Sequence, residues 1–174
     1  MLPRATPVFP TNDRMVDVLL RHHDDLSDHY LFPFPPGDIV PELKDKGILH
    51  LRAKNGGLNV PRSDLVCSAA DLNLISDTLK FPVAVKPALP MMSFKGTKCD
   101  DLESLRNQVL VSEKLHEQLL IQDWIEGDDR SIVFAAYYIG RDGYCTAQYS
   151  GRKLLCYPPQ TGHAAATEGR DLGR

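Results

Sequence analysis

Two short stretches decide what this sequence can fold into: residues 81–87 read FPVAVKP, and residues 122–127 read QDWIEG. In the first, β-branched residues follow a leading proline and end at Lys86, a pattern typical of a strand. In the second, an apolar run that starts at Leu119 ends in a glycine-containing turn, which predicts another strand from Leu119 to Trp124. The sequence therefore places a lysine at the end of one strand and an acidic turn at the end of another.

Helices are predicted around these strands. Residues 11–28 and 38–54 have helical periodicity, and the proline cluster at 32–37 reads as a stiff connector between them, with a PxxP ligand as the alternative. A third helix is expected to start at a Ser68 cap, and a fourth runs from an Asp100 cap to Leu115. Residues 87–99 are expected to be irregular.

The C-terminal third reads as a β-hairpin. Residues 131–139 form a nearly unbroken apolar run, which predicts a strand covered on both faces, and residues 140–143 turn it into a partner strand at 144–149. Arg152 and Lys153 would directly follow that partner strand. The order helix, strand, helix, strand, hairpin predicts an α+β domain whose antiparallel sheet has helices packed on one side.

Composition excludes several classes of protein. The formal charge of −3 and the pI near 6.0 provide no basic stripe, so no nucleic-acid partner is expected. No apolar run approaches the roughly 20 residues of a membrane span, and the N-terminus lacks a secretory apolar region, so a cytoplasmic protein is expected. The sequence makes no prediction of oligomeric state.

No metal site is predicted. The four cysteines form no C-x-x-C pair, which argues against a zinc ribbon or a disulfide scaffold. The cluster of histidines and aspartates in the first helix could suggest a metal site, but helical spacing directs His22, His23 and His29 apart. A solvated helix face is the better interpretation.

Three features could contribute to a binding cleft. Lys86 could reach phosphate oxygens as a point charge, although a surface lysine at a strand end would look the same. The strand around residues 122–125 offers backbone groups that can contact the edge of an adenine, and Ile125 offers an apolar face for the ring. An acidic residue after it could bind ribose hydroxyls. The alternative is an ordinary strand that ends in an acidic turn. Arg152 and Lys153 either add positive charge to the cleft or form a solvated edge.

These stretches, with Asp45-Lys46, residues 57–61 (GLNVP) and residues 151–153 (GRK), resemble the ATP-grasp superfamily and most of all its predicted carboxylate–amine ligases. The resemblance covers roughly residues 11–163. It implies an ATP-grasp-like fold, incomplete in this chain, with residues 1–37 as the end of an N-terminal lobe and connector, 38–163 as the central and lid subdomain, and 164–174 as a truncated tail.

The resemblance also implies a role for individual residues. Lys46 and Lys86 would contact phosphates, and Gly96 would belong to a flexible lid loop that is bulkier at residues 90–95 than is usual in the family. The adenine-binding segment would be Gln122, Asp123, Trp124 and Ile125, with Gln122 facing the adenine amino group and with backbone contacts from Asp123 and Ile125. Asp129 would bind the ribose, and Arg152 and Lys153 would be the catalytic residues on the phosphate and substrate side.

The implied function is the ATP-binding part of an ATP-dependent ligase. ATP would activate a small carboxylate as an acylphosphate, and an amine would attack it with release of ADP and phosphate. Mg²⁺ would be needed, with ligands expected outside this chain, so the chain is expected to be inactive alone. The alternative is a non-catalytic nucleotide-sensing or protein-interaction module with a degenerate form of the fold.

Overall fold

The computed structural model describes residues 6–34, 39–90, 94, 96–140, 142–157, 159 and 162–171. The described N-terminal residues are largely helical, and two short strands among them pair in parallel. Its elements are β1 (Thr6–Pro7), α1 (Asp13–Arg21), α2 (His23–Ser27), β2 (Tyr30–Leu31), α3 (Ile39–Lys44) and α4 (Lys46–Asn55). The single helix predicted over residues 11–28 is therefore two helices that meet at His22.

The α1 helix is capped by Asn12. The Met15 N–H donates to Asn12 Oδ1 at 2.9 Å, which satisfies one of the free backbone donors at the helix start. Among the described residues, no helix is long and apolar enough to cross a bilayer.

A four-stranded antiparallel sheet occupies the middle of the chain. Its strands are β3 (Ser63–Val66), β4 (Val83–Pro87), β5 (Thr97–Cys99) and β6 (Leu119–Asp123), in the order β3-β6-β4-β5. Strands β4 and β6 form where the sequence predicts them. By contrast, β3 and β5 fall in segments for which no strand was predicted.

Two helices accompany this sheet: α5 (Ala69–Ile75) and α6 (Leu102–Lys114). The predicted Ser68 cap is confirmed, because Ser68 Oγ accepts from the Asp71 N–H at 3.2 Å. The predicted Asp100 cap is wrong by one residue. Asp101 accepts from the Ser104 N–H at 2.7 Å, while Asp100 pairs with Lys98 at 2.9 Å.

The hydrophobic core lies between the helices and one face of this sheet. Val83 and Val85 alternate with less buried residues along β4 and are fully buried, as is Leu105 of α6. The core cluster is completed by Val66, Leu72, Cys99, Val109, Leu119 and Ile121. The predicted α+β class with helices on one side of an antiparallel sheet is thus confirmed, and strand alternation leaves Ala84 and Lys86 on the opposite face.

A separate three-stranded antiparallel sheet follows, formed by β7 (Val133–Ile139), β8 (Cys145–Tyr157) and β9 (His163–Gly169) in that order. The hairpin prediction is confirmed, but β8 extends through Tyr157, so Arg152 and Lys153 lie within it. The predicted burial of β7 on both faces is wrong. Every residue of β7 except Phe134 is exposed, and the described core cluster contains no residue of this sheet.

Candidate functional site

The open face of the four-stranded sheet borders a cavity of about 870 Å³. Strands β4 and β6 form its floor, α4 and the β4–β5 loop border it, and β8 and β9 contribute further residues. Most residues that the sequence singled out lie on it. These are Lys46, Lys86, Gly96, Gln122, Asp123, Trp124, Ile125 and Lys153.

Lys86 lies on the floor of this cavity because β4 alternates. Its neighbours Val85 and Pro87 point into the core, so the lysine points the other way. The Lys86 ammonium donates to Gln122 Oε1 at 2.9 Å. Burial lowers the pKa of Lys86, and the positive charge of Lys46 lowers it further. An anion in the cavity would relieve both effects.

Lys46 enters the same cavity as the first residue of α4. Asp45 caps this helix by accepting from the Gly47 and Ile48 N–H groups at 2.8 and 3.0 Å. The Lys46 N–H donates to Ala88 O and its ammonium to Pro87 O, both at 2.9 Å, so the helix start is tied to the end of β4. Burial lowers the pKa of Lys46, and the carboxylates of Asp13 and Asp45 oppose that shift.

The segment after β6 forms one side of the cavity. Ile125 is 70% exposed, so a large apolar side chain is available in the cavity that the two lysines also line. Trp124 is held by Lys98, whose ammonium lies 5.4 Å from the centre of the indole ring in a cation–π contact. The Asp123 N–H donates to Arg62 O at 2.9 Å, so this backbone donor is committed to the sheet.

Gly96 lies where the β4–β5 loop approaches the floor. A Cβ atom added at Gly96 would lie 3.4 Å from Val85 O and 3.5 Å from Lys86 Cγ. These are ordinary van der Waals distances, so the backbone at Gly96 lies close to Lys86 but leaves room for a Cβ atom. The expectation of a bulky lid concerns residues 90–95, and of these residues 91–93 and 95 lie outside the described part of the chain.

Two predicted site residues lie elsewhere. Arg152 is not among the residues that line this cavity, and its guanidinium donates to Glu168 on β9. The reason is strand alternation: Arg152 and Lys153 are adjacent in β8 and point to opposite faces, so only one of them can face the cavity. Asp129 lines a smaller cavity of about 150 Å³ beside Trp124, and its Oδ2 accepts from the Cys156 N–H at 2.7 Å.

Sequence reasoning missed three polar residues. Asp13 of α1 and His163 of β9 line the larger cavity, and Ser63 of β3 accepts a hydrogen bond from the Gln122 amide at 2.9 Å. No sequence signal identifies them, since each comes from a segment whose position depends on tertiary pairing. Across the described residues there is no group of three or more His, Cys, Asp or Glu side chains that could hold a metal ion.

Solved structures with the ATP-grasp fold share the fold of this chain over part of their length. A D-alanine–D-alanine ligase from Bacillus anthracis complexed with ATP is 19% identical, with a TM-score of 0.60, over 90% of this chain and 49% of that one. A D-cycloserine synthetase is 15% identical, with a TM-score of 0.61, over 93% and 56%. An N5-carboxyaminoimidazole ribonucleotide synthetase in complex with ADP is 13% identical, with a TM-score of 0.61, over 78% and 35%.

At these identities the likeness establishes the fold. This chain spans between 35% and 56% of the length of those three proteins. No family model matches the sequence, and no curated protein matches it either.

Proposed function

We propose that this chain is the ATP-binding part of an ATP-dependent carboxylate–amine ligase. The observation that carries the proposal is that Lys46 and Lys86 line one cavity together with Trp124 and Ile125, the apolar residues that follow β6. These residues come from three separate elements, and they meet on a fold shared with ligases that were solved with ATP or ADP.

The two lysines suit a polyphosphate. Burial lowers the pKa of both lysines, and at Lys46 the carboxylates of Asp13 and Asp45 oppose that shift. A bound anion would favour the charged form of both groups, which couples binding to their protonation. The phosphates would lie between α4 and the floor formed by β4.

The other end of the cavity suits a purine base. Ile125 presents an apolar side chain there, and Trp124 is oriented by Lys98. Pockets for such ligands are mostly apolar, with a few polar groups that set orientation. We assign the ribose hydroxyls to the acidic turn after β6, where Asp129 borders the adjoining smaller cavity.

In a ligase of this kind, ATP supplies the phosphoryl group that converts a carboxylate into an acylphosphate, and an amine then displaces phosphate from it. In this chain, Lys153 is the basic residue of β8 that borders the cavity, so we assign to it the stabilisation of charge on the phosphate and substrate side. Arg152 is left out of this role because it faces Glu168.

Magnesium belongs to the proposal by analogy with other phosphoryl-transfer enzymes. Hard divalent ions need several oxygen ligands, and the described residues bring together no set of three such side chains. No step is assigned to a metal bound by this chain, and we expect no ligation by this chain alone. Steady formation of ADP from ATP, a carboxylate and an amine by the purified chain would contradict that expectation.

The binding proposal is tested by thermal unfolding with and without millimolar Mg-ATP, with Mg-GTP as the control nucleotide. A ligand that binds only the folded form raises stability by RT ln(1 + [L]/Kd), so even weak binding shifts the unfolding midpoint. We expect a rise with ATP that exceeds the rise with GTP. No rise in a sample that unfolds cooperatively would refute ATP binding by this chain.

A further inference from the structure

A chain of hydrogen bonds starts at Lys86 and runs across the floor of the cavity. The Lys86 ammonium donates to Gln122 Oε1 at 2.9 Å, and Gln122 Nε2 donates to Ser63 Oγ at 2.9 Å. The Ser63 hydroxyl donates in turn to Pro61 O at 3.2 Å. These hydrogen bonds thus link the neighbouring strands β4, β6 and β3 and extend to Pro61, just before β3.

Every bond in this chain has a fixed direction. A lysine ammonium can only donate, so it must face the amide oxygen of Gln122. The amide nitrogen then faces Ser63, whose oxygen must accept, and the serine proton is left for the Pro61 carbonyl, which can only accept. One orientation of the Gln122 amide therefore satisfies all four groups.

Strand register brings these side chains together. Gln122 lies opposite Ser63 on β3 and opposite Ala84 on β4. Lys86 is two residues beyond Ala84 on the same face, which makes it a diagonal neighbour of Gln122. Because Ala84 is small, the amide and the ammonium can meet above it.

We propose that Ser63 is a positioning residue of this site, which acts through the Gln122 amide to fix the Lys86 ammonium in the cavity. Only the identity of the anion rests on the proposed function. A neutral amide holds the ammonium without cancelling its charge, whereas a carboxylate at the same place would form an ion pair with it and compete with a bound anion.

The electrostatic surroundings of Lys86 include several other groups that border the cavity. They come from α1, α4, β6, β8 and β9 and are Asp13, Lys46, Asp123, Lys153 and His163. Substitution of Ser63 leaves all of these in place. A change in the titration of Lys86 on that substitution therefore reports the hydrogen-bond chain.

The direct test follows the ¹³Cε resonance of Lys86 against pH in the free protein, with the signal assigned from its loss in Lys86→Met. Ser63→Ala should lower the pKa of Lys86, because the ammonium loses an acceptor that was held in place. Ser63→Thr keeps the hydroxyl and should restore the titration of the original protein. Ser76→Ala is the matched control, since its hydroxyl bonds only locally to Asn73 O.

The second readout is the affinity for Mg-ATP and for inorganic tripolyphosphate. Ser63→Ala should weaken both about three- to tenfold, in line with partial loss of one charged hydrogen bond. Gln122→Glu keeps an acceptor next to the Lys86 ammonium but adds a negative charge. The pKa of Lys86 should therefore rise, while the affinity for tripolyphosphate should fall. This variant also keeps the test open if Ser63→Ala does not fold.

The outcomes separate this inference from the proposed function. An unchanged Lys86 titration in folded Ser63→Ala would overturn the positioning role even if the original protein binds ATP. A lowered pKa that Ser63→Thr restores would support that role even if ATP does not bind. Equal effects of Ser63→Ala and Ser76→Ala would mean a general loss of stability and would overturn it.

Discussion

The two antiparallel sheets of this chain each contain an apolar strand, but the two strands have different surroundings. In the four-stranded sheet, β4 (VAVKP) buries Val83 and Val85 against two helices and presents Lys86 on its open face. In the three-stranded sheet, β7 (VFAAYYI) is more apolar, yet Tyr137 is 64% exposed and only Phe134 is partly buried.

The difference shows what an apolar strand can and cannot specify. A run of apolar residues indicates that a strand would be stabilised by a covering layer, but the layer itself comes from other segments. For β4 this covering layer is formed by the helices α5 and α6, which pack against the sheet to form the core. The candidate site depends on this difference between the two faces of the sheet. One face is packed against helices, so the other can hold charged side chains such as Lys86 in fixed positions.

The largest expected effect concerns the packing of the two sheets. Leu105→Ala removes a fully buried side chain beside the four-stranded sheet and should cost about 2–5 kcal/mol in the free energy of unfolding. Leu155→Ala makes the same chemical change at a residue of β8 that is 55% exposed and should cost less than about 1 kcal/mol. Chemical denaturation measures both, and equal costs would show that the three-stranded sheet is also packed.

The second effect concerns the open face. Lys86→Met keeps most of the side-chain length and removes the charge, so ATP affinity should fall about tenfold or more, since a hydrogen bond to a charged group contributes roughly 1.5–3 kcal/mol. Lys114→Met, at the end of α6, is the control and should leave affinity unchanged. Calorimetric titration gives both values, and an unchanged affinity for Lys86→Met would remove this lysine from the site.

The third effect is a pH dependence that only the open face should show. Because its pKa is lowered, the Lys86 ammonium loses its proton at a lower pH in the folded protein than in the unfolded chain. The unfolded state therefore binds more protons between the lowered pKa and the ordinary value of about 10.4, and stability should rise with pH across that window. Lys86→Met should flatten part of this rise and Lys114→Met should not, as measured by denaturation at several pH values.

The smallest effect belongs to the three-stranded sheet. Arg152 pairs with Glu168 while both side chains are partly exposed, so Arg152→Met should change the free energy of unfolding by no more than about 1 kcal/mol. Its ATP affinity should also stay the same, because Arg152 lies outside the described lining of the cavity. A loss comparable to that of Lys86→Met would restore the role that the sequence suggested.

Local patterns in the sequence were enough to predict the two central strands of the four-stranded sheet and the longer of its two helices. Strands β4 and β6 follow from β-branched and apolar runs with clear breaks, and α6 follows from its stripe of Leu102, Leu105 and Val109. Lys86 was assigned to a cleft because it stands at a strand end, and the resemblance to the ATP-grasp superfamily supplied most of the other site residues. Eight of the ten predicted site residues line the cavity.

The remaining features depend on pairing between distant segments. Ser63 meets Gln122 only because β3 pairs with β6, and His163 reaches the cavity on β9, a strand that no sequence pattern predicted. Arg152 was assigned together with Lys153, although adjacent residues of one strand point to opposite faces. That error could have been avoided once the strand was extended through position 153.

The most direct test of the central claim is a map of backbone amide chemical shifts during titration with Mg-ATP. The account predicts saturable shifts at the open face, around Lys46, Lys86, Gly96 and Ile125, with only small changes at Tyr137 and Tyr138 of the three-stranded sheet. No shifts in the folded protein, or shifts confined to β7–β9, would contradict an ATP site on the four-stranded sheet.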